Sequence, residues 1–75
     1  MFMKEKRLYF FTFGSGQLNE GKCQPIYAES FIKARERMFE VYGDKWGFQY
    51  EENEWRKIRE MGIAEKEMKP LYQHE

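Results

Sequence analysis

Few residues in this 75-residue chain could do chemistry, and most are poorly placed for it. A glycine-flanked serine, Gly14-Ser15-Gly16, follows an aromatic run, as phosphate-cradling loops follow strands. Consecutive backbone N–H groups in such a turn can form an anion nest. No helix follows directly to add its dipole. No G-K-[ST] occurs, and Asn19 stands where G-x-G-x-x-G needs its last glycine. A flexible turn and a weak phosphate site on Gly14, Ser15 and Gly16 are thus both readings of this stretch. Ser15 is outside any G-x-S-x-G elbow, and the sole histidine, His74, is next to last, where a chain end rarely positions a general base. Glu51 and Glu52 are adjacent, so their carboxylates diverge in a strand or loop. No catalytic residue and no cofactor are expected, and no Cys/His cluster offers a metal site.

One arginine stands out. Ser30 suits an N-cap and Gly43 a left-handed C′ position, which predicts a helix over Phe31 to Tyr42. On a wheel with Phe31 at zero, Met38, Tyr42, Ala34, Val41, Phe39 and Ile32 occupy the half-circle around it. Lys33, Glu36, Arg37 and Glu40 fill the other side. Arg35 lands at about 40°, inside the apolar arc between Phe31 and Phe39. Its stem either packs on aromatics while the guanidinium reaches water or a carboxylate, or its charge is held against rings with the fork open to an anion.

The elements that would position these residues are short. Lys6 to Phe13 reads as a strand with Leu8, Phe10 and Thr12 on one face and Tyr9, Phe11 and Phe13 on the other. Aromatics on both faces suit a central strand covered on both sides. After a polar loop, Cys23 to Ala28 is a second strand. Pro25, lacking an N–H, places it at an edge or on a bulge. Lys45 to Tyr50 is a third strand, with Trp46, Phe48 and Tyr50 on one core-facing side. Asn53 would cap a second helix from Glu54 to Met61, lined by Trp55, Ile58 and Met61 and stopped by Gly62.

The order β-β-α-β-α predicts a single α+β domain over residues 1–75, with about three antiparallel strands and two helices against one face. The ordered core would run over about 6–62, with a charged tail, 63–75, in which Met68, Leu71 and Tyr72 could return to the body. Two helices on one face leave the other row of strand one bare. The tail, a second copy or a ligand must cover it.

Thirteen basic and thirteen acidic residues cancel, which argues against a duplex nucleic-acid partner or an anionic membrane surface. The chain is too charged throughout to hide a transmembrane helix. Basic residues precede apolar ones in "MFMKEKRLYFFTF", as in a signal peptide, but the run is short and aromatic and has no A-x-A site. With one cysteine, Cys23, and no internal disulfide, a cytoplasmic location is expected. A core this small supplies only ~3–5 kcal/mol unless stapled, so the 19% aromatic content either holds the core or marks a partner surface. Oligomerisation is the remaining staple.

Three stretches, "YFFTFGSGQ", "IYAESFIKARERM" and "YGDKWGFQY", give the chain a family texture. Over about residues 8–50 it resembles small, mostly uncharacterised proteins encoded by phages and prophages of Gram-positive bacteria. That resemblance implies a bacterial host cytoplasm and action by binding: blocking a defence component, sequestering a signalling nucleotide or redirecting a host factor. It carries no catalytic motif. The leading expectation is a non-enzymatic inhibitor that binds a bacterial host protein through Tyr9, Phe11 and Phe13, with Arg35 as anchor. The second is a nucleotide sponge holding phosphate on Gly14, Ser15, Gly16 and Arg35. The third is a structural homo-oligomer whose aromatic row is its own interface.

Overall fold

The computed structural model describes residues 5–61 and 66–73. Within them the chain folds in the order β1 (Arg7–Thr12), β2 (Lys22–Ala28), α1 (Phe31–Tyr42), β3 (Gln49–Glu51), α2 (Glu52–Glu60), β4 (Lys66–Glu67) and β5 (Leu71–Tyr72). The class is α+β, as the sequence predicts, but the sheet is mixed. Its order is β3-β1-β2-β4, and β5 also pairs with β2. β1 is central and antiparallel to both neighbours, with Tyr9 opposite Ile26 on one side and Glu51 on the other. β4 and β5 run parallel to β2.

The topology accounts for the two covered faces. β2 and β3 both oppose β1, so α1 is a parallel crossover from β2 to β3. α2 returns from β3 to β4, across the sheet in the opposite direction. Crossovers of one hand that travel in opposite directions put their helices on opposite faces. The packing agrees. Ala34 and Met38 of α1 join Tyr9, Phe11, Phe13, Ile26 and Ala28 in one cluster, while Trp55 of α2 joins Phe10 and Cys23 in the other. The expectation of both helices on one face is therefore corrected. It assumed an all-antiparallel sheet, in which no crossover rule applies.

Residues 66–73 are also part of the body. Main-chain N–H groups of Lys66, Met68 and Gln73 donate to the carbonyls of Gly21, Cys23 and Tyr27, and Met68 and Leu71 pack on the α1-side cluster. β2 is thus no edge strand, and the ordered body extends beyond 62. Pro25 remains legible in this arrangement. The carbonyls of Gly21, just before β2, and of Cys23 and Tyr27 within it point toward the added strand, so the missing Pro25 N–H falls on that side. There the added strand breaks, between β4 and β5. The buried Gln24 amide spans the break, donating to Pro25 O (2.9 Å) and Lys69 O (2.8 Å). Its Oε1 accepts from Tyr42 Oη at 2.6 Å, so a polar side chain inside the core is satisfied at both ends.

The helix boundaries follow local chemistry. Ser30 Oγ accepts from Lys33 N (3.2 Å), and Gly43, at φ 64°, ends α1 by donating to Phe39 O. α2 starts two residues earlier than the Asn53 cap predicts, because Glu54 reaches back to the Glu51 N–H (3.1 Å) and fixes Glu51 as the N-cap. The stop at Gly62 lies outside the described residues. The third strand is shorter than expected and bulged. Thr12 donates to Phe48 O (3.0 Å) and accepts from Gly47 N (2.7 Å), two residues opposite one. Trp46 and Tyr50 consequently sit on opposite faces, against Phe11 and Trp55 respectively, and Phe48 turns out to solvent.

Candidate functional site

The aromatic row proposed as a contact surface is interior. Tyr9, Phe11 and Phe13 are 4%, 0% and 8% exposed. Each meets a ring from α1 or the loop after it in a T-shaped contact: Tyr9 with Phe31, Phe11 with Trp46, and Phe13 with Tyr42. The chain shelters both sides of its first strand with its own residues, so these three rings are core and leave the contact assignment.

Arg35 is where the wheel places it, and it is exposed. Its guanidinium carbon lies 5.0 Å from the Trp46 ring centroid and 5.6 Å from that of Phe39, while Phe39 and Trp46 contact each other edge-on at 5.4 Å. Two local features build this arrangement. The i,i+4 spacing stacks Phe39 one turn beyond Arg35 on the same helix flank. The Trp46 indole is fixed by its Nε1–H donating to Gly43 O (3.0 Å) and by Phe11 beneath it. A guanidinium over two ring faces gains a cation–π attraction of about 0.5–1 kcal/mol at an exposed site. Its N–H groups meet no carboxylate among the described residues. Arg37, Arg56 and Arg59, by contrast, contact Glu40, Glu52 and Glu67 at 3.2–3.4 Å.

Around Arg35 the surface is apolar. Ile32 is 60% and Phe39 46% exposed, and Phe31 is partly open beside them. The sequence contains the signal for this patch. The apolar arc of α1 spans a full half-circle, and the sheet takes only the part holding Ala34, Met38 and Tyr42. Ile32, Arg35 and Phe39 are left outside it on one flank, as Val41 is on the other, and Phe31 is only partly covered.

The glycine-flanked serine lies in a run of turns, with Gln17 N donating to Gly14 O, Glu20 N to Gln17 O and Lys22 N to Asn19 O. Gly16 takes φ 84°, which only glycine adopts without strain. The amides that would hold phosphate already have acceptors: Gly14 N–H binds Gln17 Oε1, and Gly16 N–H binds Glu20 Oε1 (3.2 Å). A carboxylate at the nest repels the anion the nest was expected to take. No hydrogen bond or ion pair joins Arg35 to Gly14, Ser15 or Gly16 among the described residues, so the four do not converge into a nucleotide site.

A shallow cavity of about 450 Å³ opens where β1 begins, lined by Lys6, Arg7, Leu8, Tyr27 and the first turn of α2. Tyr9 is the one sequence-singled residue on its wall, and charges of both signs line it. Among the described residues there is no group of three or more acidic, His or Cys side chains able to hold a metal ion. No helix among them is long and apolar enough to cross a membrane. No family model, no curated protein and no solved structure matches this chain.

Proposed function

We propose that this chain is a non-enzymatic binding protein whose contact surface is the outer flank of α1: Ile32, Arg35 and Phe39, with Trp46 beside them. Arg35 carries the reading. A guanidinium anchored on two rings, exposed and without a carboxylate partner among the described residues, sits at the centre of an apolar patch. Arg and Trp are enriched among residues that dominate interface energies. A partner bringing a carboxylate into this patch gains a charge-assisted, bidentate bond on a pre-oriented fork. The resemblance to phage-encoded proteins supplies the setting: the partner is a bacterial host protein, a defence component, and binding inhibits it.

The test is a plaque assay. Gram-positive hosts carrying individual defence systems are infected with phages those systems restrict, with and without the chain expressed. Wild type restores plaques against one system, and Arg35→Glu, folded by circular dichroism, does not. Restoration that survives both Arg35→Glu and Ile32→Asp would move the contact elsewhere, and no restoration in any host would remove the counter-defence role.

A further inference from the structure

We infer that the cavity at the start of β1 binds a free amino acid with an aromatic side chain. Its charged walls hold the ammonium and the carboxylate, and its floor takes the ring. The site shares no residue with the contact surface proposed on α1 and is independent of any host target.

The cavity follows from the topology. β1 pairs with β2 from Arg7 onward, but with β3 only from Tyr9 to Phe11. Beyond Glu51 the chain turns straight into α2. The sheet therefore has a notch beside the first two residues of β1, closed on its far side by Glu52 and Asn53. The space of about 450 Å³ that opens there lies within the ~300–1,000 Å³ of small-molecule sites.

Opposite charges stand on the two sides of the notch. Lys6 and Arg7 come from the β1 side, Glu51 and Glu52 from the junction of β3 with α2. Tyr9 lies opposite Glu51, so Arg7 is the diagonal neighbour of Glu51. Elsewhere the chain closes such pairs, at 3.2–3.6 Å. Among the described residues no ion pair joins the two sides of the notch. Lys6 Nζ donates instead to Gln73 O, and the Glu51 side chain accepts from the Glu54 N–H in the capping box. Glu52 meets Arg56 at 3.4 Å in an exposed pair, which holds it weakly. Arg7 is exposed and has no hydrogen bond or ion pair among the described residues.

The floor is apolar. Leu8 and Tyr27 face each other across β1 and β2, and both are half-buried. The Tyr27 ring stacks on Tyr72 from the β5 side, with centroids 5.0 Å apart and planes 14° apart. Its other face turns toward Leu8 and the cavity. The stack fixes the ring, so a flat ligand group meets a surface that is already oriented.

These features select the ligand. A simple anion would suit Arg7 but meet Glu51 and Glu52. A simple cation would suit the carboxylates but meet Lys6 and Arg7. A free amino acid carries both charges on one carbon and neutralises both sides at once. Its carboxylate takes the Arg7 fork in a bidentate bond. Its ammonium donates to the Glu51 and Glu52 carboxylates, and an aromatic side chain lies on Tyr27. A nucleotide could stack its base in the same place, but its phosphate adds negative charge to a notch that already holds two carboxylates.

Titration of the isotope-labelled full chain with L-phenylalanine, followed by main-chain amide chemical shifts, tests this. The Leu8, Tyr27 and Asn53 signals should move and saturate, with a dissociation constant on the order of 1 mM because an open site screens its charges. N-acetylphenylalanine lacks the ammonium and phenylalanine amide lacks the carboxylate; each should bind at least ~10-fold more weakly. Alanine, without a ring, should also bind more weakly. Arg7→Gln and Glu52→Gln, both at exposed positions, should each weaken phenylalanine binding by about the same ~10-fold. The blocked ligands need no variant and decide the matter if a variant fails to fold. No saturable shift up to roughly 20 mM phenylalanine would overturn the inference. So would equal binding of either blocked derivative, tighter binding of adenosine monophosphate, or shifts confined to residues away from the cavity.

Discussion

The Phe10 ring lies nearly parallel to that of Trp55, their centroids 5.3 Å apart and their planes 15° apart, on the face of the sheet away from α1. This stack is what α2 contributes to the fold. Trp55 is 1% exposed, and Leu8, Tyr50 and Ile58 close around the pair with Cys23 beneath. Truncating a buried Trp or Phe costs ~3–5 kcal/mol, which equals the whole stability expected of a core this size. Trp55→Ala should therefore be unfolded at 25 °C by circular dichroism. Ile58→Ala, at a half-buried neighbour, should remain folded but open α2 more often. The buried Cys23 thiol reports that opening: its labelling by a thiol reagent should be slow in wild type and at least ~10-fold faster in Ile58→Ala if the variant loses ~1.4 kcal/mol against local unfolding. Equal labelling rates would mean that α2 does not guard Cys23.

The two aromatic rows give a second contrast. Phe11→Ala removes a fully buried ring next to Ile26 and Met38 and should unfold the chain. Ile32→Ser and Phe39→Ser, on the open flank of α1, should change the melting temperature by only a few degrees, since surface substitutions usually stay within ~0.5 kcal/mol. Thermal melts of the three variants decide it. A stable Phe11→Ala chain would return that ring to the contact surface.

The same contrast marks how far the sequence alone reaches. Ser30 and Gly43 carry their own capping chemistry, so α1 is legible to the residue. The alternating aromatics identify β1 as a covered central strand. The face count fails because strand direction is set by pairing partners far apart in sequence, and β4 and β5 are two residues each, too short for any periodicity to register. Trp46 and Tyr50 were placed together because a bulge leaves no trace in a strictly alternating reading. Arg35 was legible because a charge inside an apolar arc is a conflict that one wheel exposes. What covers it was not, since no periodicity says where a sheet ends beneath a helix.

The Tyr42–Gln24 bond predicts a pH dependence. Burial raises the Tyr42 phenol above its ordinary pKa of 10.0, so the folded chain holds that proton more tightly than the unfolded one. The stability this contributes is complete below the unfolded pKa near 10 and is lost as pH rises through the higher folded value. Tyr42→Phe removes the donor and leaves Gln24 Oε1 buried without it, at a cost of about 1–3 kcal/mol near neutral pH. Denaturant titrations from about pH 7 to 11.5 should show wild type losing stability above ~10 and Tyr42→Phe losing less of it. Parallel curves for the two would remove Tyr42 from the alkaline transition.

The C-terminal strand gives the last prediction. Met68 and Gln73 donate main-chain hydrogen bonds to β2, while Met68 and Leu71 pack against the α1-side core. Gln24 spends one of its amide hydrogens on Lys69 O. Ending the chain after residue 65 removes all of these together. It uncovers the carbonyls of Cys23 and Tyr27 along a strand whose residues 23–26 are buried, and leaves Gln24 half-satisfied in the core. An apolar, unpaired edge is a template for other chains. The shortened protein should therefore aggregate during purification or, at low concentration, melt well below wild type. Leu71→Ala, which keeps the backbone pairing and trims only a half-buried side chain, should remain monodisperse at low concentration with a melting temperature a few degrees lower. Light scattering and thermal melts on the two variants distinguish loss of the edge cover from loss of packing. If the shortened chain is as stable and monodisperse as wild type, β4 and β5 do not protect β2, and Pro25 and Gln24 at their junction have no role in seating them.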